Sequence, residues 1–294
     1  MTISRRDFLR TSAALAPLTL AAPMLAESDR PVSSGMKLGL VTLSWGKDWD
    51  LPTLIRNCEA AEFSGVELRT TNKHGVEITL TSNERLEVRK RFENSSVELV
   101  GPGNACDFHS PDPAVLKKNI EETQAFIKLS HDCGGTGVKV RPNGLPKDVP
   151  VEKTIEQIGR SLNQLGQFAD DYGQELRLEV HGGGTSALPV IQRIMEIADH
   201  PRARVCWNCN PSDLNGDGLE GNFHRVATQI STVHIHDLRK PTYPWEPLFQ
   251  LLNGISFTGW TLIEEFNIPG DMVAIVAAMR DNRTLWEKLA AGNS

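Results

Sequence analysis

Several short stretches of this chain carry groups able to bind metal or move protons, spaced as a β-strand would need. "LRLEVHGGG" holds Glu179 and His181, "RVCWNCN" holds Asn208 and Asn210, and "STVHIHDL" holds His234, His236 and Asp237. "GWTLIEEF" adds the adjacent Glu264 and Glu265, "GVELR" adds Glu67, and "GVKVR" adds Lys139 and Arg141. Residues i and i+2 of a strand face the same side, so Glu179 and His181 would enter one space. An ionised carboxylate inside a protein is costly unless a metal, a cation or hydrogen bonds compensate it. Taken singly, each residue reads as an ordinary salt-bridged or hydrogen-bonded side chain. Taken together, inward glutamates, a histidine and an amide or carboxylate on separate strands suit a divalent ion such as Mn2+, Mg2+, Co2+ or Zn2+. Sugar chemistry would use that set twice: a metal holds two neighbouring oxygens of a hydroxyketone while the glutamates exchange a proton beside the carbonyl.

Such a set needs strands that converge. From residue 36 onward, eight aliphatic or β-branched runs alternate with helical patterns. The runs are residues 37–43, 65–69, 97–101, 137–141, 175–180, 203–210, 231–236 and 260–266. Between them, stripes such as Ile120, Thr123, Phe126, Ile127 and Ile155, Ile158, Leu162, Leu165 recur at helical steps,. Alternating strand and helix predicts an α/β fold with a parallel sheet, and eight repeats predict a single-domain (β/α)8 TIM barrel. A doubly wound open sheet would want a Gly-rich loop after an early strand, and none follows "KLGLVTL" or "GVELR",. Barrel enzymes place chemistry at the C-terminal strand ends, where these polar residues fall. "LNGDGLEGNF" and "KPTYPWEP" supply long loops for the mouth.

The ordered pieces "AEFSGVEL", "FHSPDPAVLKKNIEETQAFIKLSHDCGGTGVKV", "LRLEVHG", "NPSDL", "STVHIHDL" and "FTGWTLIEEF" resemble the xylose isomerase-like TIM-barrel family, which includes sugar isomerases, epimerases and endonuclease IV-type enzymes. The resemblance runs from residue 36 to about residue 290 and implies a barrel with a divalent-metal site. By position it implies that Glu179, Asn210, His234 and Glu264 bind the metal and that Glu179 and Glu264 also transfer protons. Glu67, His181 and His236 would face the substrate. Which glutamate serves which face of the substrate stays open. The sixth strand departs from the family's D-x-x-H pattern, reading Asn210, Pro211, Ser212, Asp213, so one negative ligand charge and one imidazole are missing. The implied function is proton transfer next to the carbonyl of a keto-sugar or sugar derivative, by an isomerase, an epimerase or a related lyase. The rival is a non-catalytic carbohydrate-binding barrel with a degraded metal site.

The remainder of the chain narrows the setting. Its 294 residues, of which 39% are hydrophobic and 23% charged, describe a globular protein,. A net charge of -6 disfavours nucleic acid as a partner, leaving a small-molecule sugar, with a homo-oligomer open,. Residues 1–26 read as a twin-arginine-type export signal, with "SRRDFL" before an apolar run too short to span a bilayer; residues 27–35 form a linker to a barrel over 36–294, and the expected location is the periplasm,. Five cysteines, with Cys206 and Cys209 inside a strand, predict buried thiols rather than a disulfide or zinc framework,. "DLNGDGLEGNFH" starts like an EF-hand loop but has His224 at the twelfth position, where calcium needs a bidentate Glu,.

Overall fold

A computed structural model describes residues 35–292, so the expected export signal over residues 1–26 and most of the expected linker lie outside the described residues. Eight parallel strands close into a barrel in sequence order, with β1 pairing β8. They are β1 Lys37–Val41, β2 Gly65–Arg69, β3 Glu98–Asp107, β4 Gly137–Arg141, β5 Glu175–Glu179, β6 Ala203–Asn208, β7 Ile230–Ile235 and β8 Trp260–Ile263. Eight helices follow the strands in turn: α1 Leu51–Ala60, α2 Ser82–Glu93, α3 Pro113–Cys133, α4 Val151–Asp170, α5 Leu188–Ala198, α6 Gly218–His224, α7 Trp245–Gly254 and α8 Met272–Ala290. Among the described residues, no helix is long and apolar enough to cross a membrane.

Local chemistry sets the helix ends. Asp50 accepts a hydrogen bond from the Thr53 amide at the start of α1, and Asp271 accepts from Ala274 at the start of α8,. Thr81 and Glu84 form a reciprocal capping box on α2, and Gly134 ends α3 in the left-handed region at φ 86°,.

Alternation along the strands sorts the chain into an outer shell and an inner column. Val66, Leu68, Val138, Val140, Leu176, Leu178, Val205, Trp207, Val233, Ile235 and Ile263 belong to the large apolar cluster shared with the helices. Their neighbours of opposite parity fill the barrel: a small apolar cluster of Val41, Val100, Trp260 and Leu262, with Glu67, Lys139, Glu179, Asn208, His234 and Glu264 buried towards the C-terminal mouth. Strands are therefore apolar on the helix side, and the interior combines a small apolar cluster with charged groups where an ordinary barrel core is filled by branched apolar side chains,. Two glycines make room for this filling. A Cβ on Gly103 would sit 2.5 Å from Glu67 Oε1, and one on Gly65 would strike the Trp260 ring,.

Six strands differ from their expected extents: β1, β5, β7 and β8 by one to three residues at their ends, β3 and β6 in ways that bear on the site. β3 continues to Asp107: the backbone bulges at Val100, pairing with β2 resumes at Gly101, and the strand runs on from there,. β6 stops at Asn208 instead of 210. Asn210 is extended ahead of Pro211, which has no N–H to continue a ladder, and the chain turns into a short 3-10 segment over Pro211–Leu214,.

Candidate metal centre

The mouth ends of β5, β7 and β8 bring Glu179, His234 and Glu264 together. One ligand atom from each lies within 4.8 Å of the others, and all three residues are buried. His234 Nδ1 is 3.3 Å from Glu264 Oε2 and 3.6 Å from Glu179 Oε1, yet has no hydrogen-bond partner. Its other nitrogen, Nε2, faces Glu67 Oε2 at 3.3 Å. This arrangement suits a carboxylate that accepts the Nε2 proton, leaving Nδ1 as a bare lone pair aimed between two carboxylates. A buried, unpartnered nitrogen flanked by two acids is what a divalent ion requires, so the residues fit the group that the sequence implied.

Electrostatics around the centre are lopsided. Lys139, fully buried on β4, donates to Glu179 Oε2 at 2.8 Å, and Asn208 Nδ2 lies 3.3 Å from Glu179 Oε1. Burial works to raise the Glu179 pKa, but Lys139 and His234 outweigh it and hold the carboxyl well below its ordinary range,. Glu264 is also pulled down against burial, chiefly by His234, and has less support: its nearest other cation is Arg69 Nη1 at 3.9 Å. Burial opposes charge on His234, yet Cys206, Glu67 and Glu264 push its pKa well above the imidazole value. Without an ion, a proton on His234 relieves the crowded acids; binding an ion would displace that proton.

The other expected residues fall in distinct places. Glu67, expected at the substrate, is buried behind His234 and orients it. His181 stands at the mouth, half-buried, with its Nδ1 unpartnered; burial lowers its pKa and Glu179 opposes the shift. His236, also expected at the substrate, has Nδ1 2.8 Å from the Glu264 carbonyl and Nε2 3.2 Å from the Cys209 carbonyl, so it ties the ends of β6, β7 and β8. Asn210, expected as a ligand, lies beyond β6 and donates its amide to the carbonyls of Val180 at 2.7 Å and Asn208 at 2.6 Å. Asn208 is the β6 side chain that reaches the centre: it pairs in register with His234, and its Oδ1 is buried without a partner. Parity puts Asn208 and Asn210 on the same face, so the sequence signal for Asn208 lies only in Pro211, which ends the ladder before Asn210 can belong to it. Lys139 had a signal too, as a lone ammonium between two valines in "GVKVR".

Neighbouring motifs have structural duties. Glu265 accepts from the backbone amides of Asp237, Phe266 and Asn267, which separates its role from that of Glu264. Asp213 is fully buried and accepts from Tyr243 Oη and the Asn210 amide, each at 2.9 Å. That bonding draws the start of the EF-hand-like stretch into the core. All five cysteines are buried free thiols, and burial pushes the Cys206 and Cys209 pKa values up, as expected for packing residues,.

Comparison with known proteins places this geometry. Inosose dehydratase from Clostridium beijerinckii is 21% identical over 86% of this chain and 97% of its own length. A D-psicose 3-epimerase solved in the presence of D-fructose superposes with a TM-score of 0.74 at 15% identity, covering 87% of this chain and all (100%) of that one. The 3-keto-D-glucoside 4-epimerase from E. coli gives 0.70 at 15% identity, over 85% and 99%. The family model described as xylose isomerase-like TIM barrel matches residues 55–288. With most of the barrel matched and the acid–histidine–acid centre at its mouth, the chain belongs to the xylose isomerase-like TIM-barrel family.

Proposed function

We propose that this protein is a metal-dependent enzyme that moves a proton at the carbon next to the carbonyl of a keto-sugar or related polyol ketone. The observation that carries the reading is the unpartnered His234 Nδ1 between Glu179 and Glu264. These three residues would hold the ion, with the Asn208 Oδ1 oxygen beside them. A divalent ion bound there supplies Lewis-acid polarisation of the carbonyl and neighbouring hydroxyl oxygens.

The remaining work falls to the chain. Lys139 keeps Glu179 ionised and stationary, since that carboxylate has contacts on both oxygens. Glu264 is the less constrained acid, so it takes the proton from the carbon beside the carbonyl,. Returning the proton to the opposite face gives epimerisation, and returning it to the neighbouring carbon gives isomerisation. Expelling a β-hydroxyl as water gives a dehydratase. The inosose dehydratases, matched over nearly their full length, favour this last branch as the second reading.

The test combines metal analysis with proton NMR of candidate ketoses and inososes in D2O. Purified protein should carry a stoichiometric divalent ion, and Glu264→Gln should slow deuterium incorporation about 10^3-fold. Deuterated sugar supports the isomerase or epimerase branch, and an unsaturated product supports the dehydratase. Wild-type protein that binds no divalent ion would sink both and leave the non-catalytic barrel.

A further inference from the structure

Two arginines stand at the mouth beside the metal centre with no side-chain hydrogen bond among the described residues. Arg69 ends β2 and Arg141 ends β4, each two residues beyond an inward-facing group, Glu67 and Lys139 respectively. Strand parity therefore turns both side chains into the mouth. They flank β3, where Gly103 pairs with both Arg69 and Lys139 and places no side chain between them.

Neither guanidinium makes a side-chain hydrogen bond among the described residues. The nearest acid to Arg69 is Glu264 at 3.9 Å, beyond hydrogen-bond reach, and the buried Arg141 Nε has no partner. Arg69 is also held ready: its amide donates to Thr42 Oγ1 at 2.8 Å, and His74 Nε2 lies 2.8 Å from its carbonyl oxygen. Asp107, in register with Arg141, is engaged elsewhere, by Asn119, Asn143 and His109.

Charge counting shows why these cations are surplus. Glu67, Glu179 and Glu264 face one ammonium, Lys139, so two negative charges remain. A divalent ion with a neutral histidine ligand cancels them. Arg69 and Arg141 then add two positive charges; even with Asp107 counted against Arg141 the site keeps an excess positive charge, and a neutral sugar supplies no counter-charge.

We infer that Arg69 and Arg141 bind an anionic group of the substrate, so that the enzyme acts on a keto-sugar acid or a keto-sugar phosphate rather than on a neutral ketose. This rests on the proposed metal-assisted proton transfer for the reacting end of the molecule, while the two guanidiniums hold the charged end. Carboxylate and phosphate oxygens both accept the paired N–H donors of a guanidinium.

Two ligand series with one skeleton each separate the choices: D-fructose, D-fructuronate and D-fructose 6-phosphate, and the matching D-tagatose, D-tagaturonate and D-tagatose 6-phosphate. Calorimetric titration of metal-loaded protein should show an anionic member bound about tenfold to a hundredfold more tightly than its neutral partner. Arg69→Gln and Arg141→Gln should each remove most of that preference while Tm holds or rises, because neither guanidinium makes a side-chain hydrogen bond among the described residues. The better-bound anion identifies the group. No preference for an anionic member in either series, whether all members bind or none does, overturns the inference, as does a preference that survives both substitutions. Deuterium exchange in the same samples reports the reaction separately. Arginine-dependent binding without exchange keeps the inference and removes the enolisation step; deuterium exchange in the wild-type protein with no arginine-dependent preference for an anionic member does the reverse.

Discussion

The two ends of the barrel use arginine in opposite ways. At the N-terminal end, Arg177 is buried, and each branch of its guanidinium is satisfied: Nε donates to Glu175, Nη1 to the Val100 carbonyl and Nη2 to Thr136 Oγ1, all at 2.9 Å. The cluster of Val41, Val100, Trp260 and Leu262 fills the interior column there. At the C-terminal mouth, the Arg69 and Arg141 guanidiniums have no side-chain hydrogen bond among the described residues, and Glu67, His181, Asn208 and His234 carry buried polar atoms without partners as well. A satisfied charge contributes to the fold. An unsatisfied one stores the capacity to bind, at a cost in stability. The contrast separates residues that hold the barrel from residues that meet a ligand, although both groups sit on the same strands.

That contrast can be broken by experiment. The largest effect should come from Arg177→Ala, which strands Glu175 and two oxygens; it should cost about 3 kcal/mol and lower Tm by roughly 10 °C, with metal affinity of the folded protein unchanged. A thermal melt paired with a metal titration checks it, and a loss of metal binding without a loss of Tm would reverse the assignment of the two ends. Next comes Glu67→Gln, which weakens the acceptor behind His234. Metal affinity should fall about tenfold to a hundredfold while Tm of the metal-free protein holds or rises. An unchanged metal titration would mean that Glu67 does not orient the ligand.

A pH-dependent effect concerns the turn after β6. Burial raises the Asp213 pKa from 3.8 to about 7, against the hydrogen bonds from Tyr243 and Asn210. A carboxyl with a raised folded-state pKa binds its proton more tightly when folded, so its contribution is complete below about pH 3.8 and is lost as pH rises through about 7,. Tm of the wild-type protein should therefore carry a component that declines across this window. Asp213→Asn should flatten it, and identical pH profiles for the two proteins would show that Asp213 does not titrate there.

Much of this molecule was legible before folding. Strand parity placed Glu67, Glu179, His234 and Glu264 on inward faces, because a period of two needs only local sequence. Alternating strands and helices predicted the barrel for the same local reason. The end of β6 was harder to read. "WNCN" alternates equally well through Asn208 or Asn210, and the decision rests on where Pro211 stops the ladder and where the chain then turns. Registers are also non-local: Lys139 reaches Glu179 from 40 residues away, and Glu67 reaches His234 across 167.

The sequence by itself therefore determined the fold class, the inward face of each strand and the chemical type of the centre. Only the tertiary structure decided which acid orients and which is free, that Asn208 rather than Asn210 reaches the centre, and that the Arg69 and Arg141 guanidiniums make no side-chain hydrogen bond among the described residues. The physical reason is closure. Pairing β1 with β8 sets the stagger of all eight strands at once, and that stagger determines which side chains meet at one height inside the barrel,.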